Sequence, residues 1–117
     1  MCGKECKVFF VKTVSLDEYI KRNNIDKLNI IKIDVDGYDY KVLLGALETL
    51  KRFKPTLFVE LSEVCLNQQG DSVSDIYNFL NHLNYTALCE ERHVPIGLEE
   101  IYKKIEHISS INGIFIS

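Results

Sequence analysis

The side chains of this 117-residue sequence best suited to chemistry are carboxylates at the ends of apolar runs. Asp34 closes the run Leu28–Asp34 (LNIIKID), and after Val35 the residues Asp36 and Gly37 form a turn. Glu60 stands one residue before the end of a second run, Thr56–Leu61 (TLFVEL). A carboxylate at a strand end can take a proton from a hydroxyl or meet a cationic group on a ligand. Two of them can also bridge a divalent cation, since hard cations prefer oxygen ligands. That is an alternative here, and no metal is assigned. Each acid has a structural alternative as well: Asp34, Asp36 and Asp39 can satisfy a turn and a helix start. Gly37 can be a backbone requirement of the same turn. Lys32, inside the apolar run, either pairs with a carboxylate or snorkels from a sheet edge. His82, His93 and His107 show no ligand spacing. Cys2, Cys6, Cys65 and Cys89 lack the paired short spacings of a zinc site. They read as reduced thiols, which places the chain in the cytoplasm.

The elements that must position these residues follow from periodicity. Val8–Lys12 has strand composition. Ser15 and Glu18 form a capping box that opens a helix ending near Asn23 and Asn24. Leu28–Asp34 shows little alternation, as in a strand covered on both faces. Val42, Leu43, Ala46, Leu47 and Leu50 fall at helical spacing and predict one helix over Tyr38–Arg52. Pro55 opens the strand Thr56–Leu61, and a polar loop covers Asn67–Asp71. Ser72 caps a helix with Val73, Ile76, Tyr77, Leu80 and Leu83 on one face. Tyr85–Cys89 is a strand, Leu98–Ile105 a helix and Gly113–Ile116 a last strand. Five strands and four helices alternate almost throughout. The pattern predicts a single α/β domain over residues 1–117, with a mostly parallel sheet and flanking helices. Ligands then bind outside the carboxyl ends of the strands, where Asp34 and Glu60 lie.

Bulk properties remove several function classes. The chain is 46% hydrophobic and 26% charged, with a net charge of −3, so no nucleic-acid footprint is expected. No apolar run approaches the 18 or so residues of a membrane span.

The stretch Ile31–Ala46, IKIDVDGYDYKVLLGA, resembles the Lys-x-Asp-x-Glu-Gly-x-Glu and Val-Leu-x-Gly-Ala pattern of the FkbM methyltransferase family. Lys32, Asp34, Gly37, Val42, Leu43, Gly45 and Ala46 match. Asp36 and Asp39 stand where the family usually has glutamate, so the charge is kept and the reach is shorter. Two flanking segments add to it: Val11-x-Thr13-x-x-Leu16-Asp17, and Pro55 leading to Glu60. The resemblance implies the latter half of a class I, Rossmann-like methyltransferase fold. It implies S-adenosylmethionine as cofactor and methyl transfer to a hydroxyl of a small molecule or sugar. By that resemblance Asp34 and Glu60 are the catalytic candidates, and Asp34, Asp36 and Gly37 the cofactor-binding ones. Family members also carry an upstream glycine-rich turn, and no two glycines here are spaced as G-x-G. A truncated domain without a complete cofactor site is therefore expected. The alternatives are a non-catalytic binding or assembly module, and a haloacid-dehalogenase-like phosphatase suggested by Asp34-Val35-Asp36-Gly37. Losing the first strand leaves Leu28–Asp34 at a sheet edge, which predicts a homodimer through that edge or a sticky monomer.

Overall fold

A computed structural model describes residues 7–117 of the chain. Cys2 and Cys6 lie outside the described residues, while Cys65 and Cys89 are free thiols. The elements run α1 (Leu16–Arg22), β1 (Ile30–Ile33), α2 (Asp39–Leu44), α3 (Leu47–Phe53), β2 (Thr56–Leu61), α4 (Glu63–Gln68), α5 (Val73–His82), β3 (Thr86–Leu88), α6 (Leu98–Ile108) and β4 (Ile111–Ile116). The α/β class is as expected. No helix among the described residues is long and apolar enough to cross a membrane.

The four strands form one sheet in the order β1-β2-β4-β3. It is mixed, which corrects the expectation of a mostly parallel sheet. β1 runs parallel to β2, but β4 is antiparallel to both β2 and β3. Alternating strands and helices do not by themselves fix strand direction. Here α6 delivers the chain to the far end of the sheet, and β4 returns between two strands already laid down. Gly113 makes that insertion close: a Cβ there would sit 2.8 Å from the Leu61 side chain and 2.9 Å from that of Phe115.

The core lies on one face of the sheet. Leu57, Val59 and Leu61 of β2 are buried and alternate with half-buried Thr56, Phe58 and Glu60. They pack with Leu43 of α2, Leu50 of α3, Leu66 of α4, Ile76 and Leu80 of α5, and Ile101 of α6. Helix α5 shows how locally its end is specified. The Ser72 hydroxyl accepts the Asp75 amide, and the Asp75 carboxylate accepts the Ser72 amide, a reciprocal capping box.

Three further expectations are corrected. Val8–Lys12 is not a strand. Val8, Phe9, Phe10 and Val11 are 76–100% exposed and have no ladder partner among the described residues. Strand composition needs a neighbouring strand before it becomes structure. The expected single helix over Tyr38–Arg52 is two, broken at Gly45 and Ala46. The Gly45 carbonyl accepts the Asp17 amide at 3.0 Å, and the Asp17 carboxylate caps α3 through the amides of Glu48 and Thr49. A distant segment thus supplies the cap that starts a new helix. Finally, α4 fills a region to which no element was assigned, opened by the Ser62 hydroxyl accepting the Cys65 amide.

Candidate functional site

The site grows out of the turn that follows β1. Ile33 is the last strand residue in the core, and Asp34 beyond it is exposed. The chain then reverses through two positive-φ residues, Asp36 at 50° and Gly37 at 100°. Asp39 braces this turn from inside. Its carboxylate, 3% exposed with its residue, accepts the amides of Val35 at 3.3 Å and Gly37 at 3.1 Å. Gly37 is buried beneath the turn. A Cβ on it would lie 2.2 Å from the Cys65 carbonyl oxygen, so only glycine lets the turn rest on α4. The missing side chain of Gly37 therefore makes room for the chain's own backbone.

β2 supplies the opposing acid. The parallel register places Ile33 beside Val59, which makes Asp34 and Glu60 lateral neighbours. Oxygens of Asp34, Asp36 and Glu60 all lie within 4.8 Å of one another. The structure thus brings together three of the four residues singled out in the sequence. Gly37 belongs to the same turn but faces Cys65.

Three carboxylates this close cannot all ionise freely. The Glu60 carboxyl is pushed above its ordinary value, first by a hydrogen bond with Asp34 and then by burial. The charges of Asp34 and Asp39 push the same way, and a hydrogen bond with the Ser110 side chain opposes them. Glu60 beside Asp34 therefore holds its proton to higher pH than an isolated glutamate does, a setting suited to proton transfer. The all-oxygen donor set is also one that hard cations accept.

Two hollows flank the acids. One, of about 170 Å³, lies on the sheet face opposite the core and is lined by Lys32, Asp34, Phe58, Glu60, Asn112 and Ile114, among others. The other, of about 570 Å³, runs along the outer edge of β1 between Val14, Tyr19, Ile31, Val35 and Val42. Asp34 lines both. Phe58 was legible in the sequence, because residues 58 and 60 share a strand face. Asn112 was not: it reaches Glu60 only through the antiparallel pairing of β4 with β2.

An α/β domain with carboxylates gathered at the carboxyl ends of two parallel strands is a ligand-binding arrangement common to many enzymes. The methyltransferase FkbM domain model matches residues 5–87, more than two thirds of the sequence, and the chain belongs to that family. The match contains Asp34, Asp36, Gly37 and Glu60, whereas Ser110 and Asn112 fall beyond it. It also replaces the phosphatase alternative. No curated protein and no solved structure matches the chain.

The fit to S-adenosylmethionine is partial. Asp34 and Asp36 offer exposed carboxylates suited to the cofactor's cationic amino acid end. The nucleotide end needs a glycine-rich turn, and residues 1–117 contain none. Gly37, the one glycine of the site, makes room only for Cys65.

Proposed function

We propose that this domain is the latter, acceptor-side half of a class I S-adenosylmethionine-dependent methyltransferase acting on a hydroxyl of a small molecule or sugar. The observation that carries the reading is the meeting of Asp34, Asp36 and Glu60 within 4.8 Å inside the family match. The bound cofactor supplies an activated methyl group. The chain's own residues orient the acceptor and remove its proton. Asp34, between the two hollows, accepts the hydroxyl hydrogen, and the Asp34–Glu60 pair retains the proton as the oxygen becomes nucleophilic. Phe58 and Ile114 offer an apolar floor beside that point, and Asn112 a polar contact. Asp34 and Asp36 would together hold the cationic end of the cofactor. The free thiols Cys65 and Cys89 suit the reducing cytoplasm.

Calorimetric titration with S-adenosylmethionine and with its demethylated product tests the reading. The expected result is weak, saturable binding with Kd on the order of 1 mM, since only one end of the cofactor is held. Asp34→Ala and Asp36→Ala should each remove it. Absence of heat with the native chain, or unchanged binding in both variants, would refute the assigned contacts.

A further inference from the structure

We infer that residues Val8–Lys12 of one copy add as a strand to the free edge of β1 in a second copy, and that the exchange is mutual. Two unsatisfied features on the same chain fit each other. The first is the edge. Among the described residues, β1 ends the sheet and pairs only with β2. The Thr56 amide donates to the Asn29 carbonyl, so odd-numbered residues of β1 turn their backbone groups toward β2. Those of Ile30 and Lys32 then point outward, a template for another strand. The apolar hollow along this edge, between Val14, Tyr19, Ile31, Val35 and Val42, has room for the side chains such a strand would bring.

The second feature is the segment itself. Val8-Phe9-Phe10-Val11 has strand composition and lies in solvent, with Phe10 fully exposed at 100%. Five residues extend about 17 Å, enough to cover the four of β1. The charges are complementary. Lysines flank the segment at positions 7 and 12, while Asp34 and Asp36 follow the carboxyl end of β1, with Glu60 beside them on the neighbouring β2. In either strand direction one lysine arrives beside those acids. Lys32 lines both the edge hollow and the one on the sheet face, beside Asp34 in each and beside Glu60 in the second. A second copy fits better than the segment's own edge. Val14 already lines the groove, and the chain leaves it there toward full exposure. Folding back would require reversal through Lys12 and Thr13, neither a turn-forming residue. A second copy needs no reversal and gains two such pairings per dimer.

Light scattering on a sizing column, over a concentration series, tests the inference with the full chain. The native protein should show twice 13.5 kDa at high concentration and dissociate on dilution. Phe10→Pro removes a ladder donor from a fully exposed residue, and should raise the dissociation midpoint at least about tenfold with an unchanged circular dichroism spectrum. Lys12→Glu should weaken the dimer as well, and Phe10→Leu should preserve it. In the native protein, amide exchange at Ile30 and Lys32 should slow as concentration rises. A native mass of 13.5 kDa at every concentration overturns the inference, as does a Phe10→Pro protein that dimerises like the native one.

Discussion

Replacing Asp17 with alanine should destabilise the domain far more than a half-buried residue of a seven-residue helix ordinarily would. One Asp17 oxygen accepts the Thr49 amide at 2.8 Å and the Thr49 hydroxyl at 2.6 Å, and the other accepts the Glu48 amide at 3.1 Å. The residue at the N-cap of α3 is Ala46, which has no side chain to do this. Loss of such a cap costs about 1 kcal/mol. Thr49 is buried, and stranding its hydroxyl adds roughly 2 kcal/mol. Together these predict a loss of about 3 kcal/mol, a large part of the roughly 5–15 kcal/mol that holds a domain folded. Thr49→Val removes the hydroxyl first, so in that background Asp17→Ala should cost only about 1 kcal/mol. Urea unfolding followed by far-ultraviolet circular dichroism at pH 7 measures all four corners of the cycle. A cost for Asp17→Ala below about 1 kcal/mol, or an equal cost in both backgrounds, would refute this account of how α1 is tied to α3.

Three other perturbations test neighbouring parts of the structure. Gly37→Ala places a Cβ against the Cys65 carbonyl at a positive φ, and should cost about 3 kcal/mol or more in the same unfolding assay. Tyr85→Phe leaves the Pro55 carbonyl without its 2.7 Å hydrogen bond and should cost about 1 kcal/mol. Burial pushes the Tyr85 hydroxyl up to about 12, so the folded state holds this proton more tightly than the unfolded one. Its contribution is then complete below pH 10 and is lost as pH rises from about 10 to about 12, a decline that Tyr85→Phe should reduce. Glu60 gives the same sign in the acid range. Its raised value means that ionising it opposes folding above the ordinary value of 4.5, so Glu60→Gln should raise the melting temperature at pH 8 and leave it unchanged below pH 4. Equal effects at both pH values would show that Asp34 and Glu60 do not interact.

Elements carried by local signals were legible in the sequence. Ser15 and Ser72 accept the amides their spacing predicted, and α1 and α5 begin there. The run TLFVEL is a strand with its two faces sorted as period two demands. What was not legible depended on distant partners. The break between α2 and α3 has no strong local signal beyond one glycine, because the decisive cap is Asp17, more than two dozen residues upstream. The direction of β4 is decided by where α6 leaves the chain, so the half of the site formed by Asn112 and Ser110 stayed hidden. Asp34 and Glu60 could be picked out as strand ends, but their adjacency required the register between β1 and β2.

The acidic residues of the motif region divide by what their oxygens do, and that division separates scaffold from site. Asp17 and Asp39 give their carboxylates to backbone amides, one starting α3 and the other closing the turn after β1. These contacts are favourable in the folded chain, so neither residue needs a ligand to account for it. Asp34, Asp36 and Glu60 are different. Their oxygens face one another within 4.8 Å, and Glu60 shows the cost in its raised affinity for a proton. Folding alone would not favour that arrangement, since like charges at this distance repel. Asp39 supports it indirectly: by fixing the amides of Val35 and Gly37 it aims Asp34 and Asp36 outward from a rigid turn. Gly37, between Asp36 and Asp39, serves the same end by letting that turn lie on α4. Local rules explain the acids that build the fold; they do not explain the gathering of Asp34, Asp36 and Glu60, and that is what supports the proposed site.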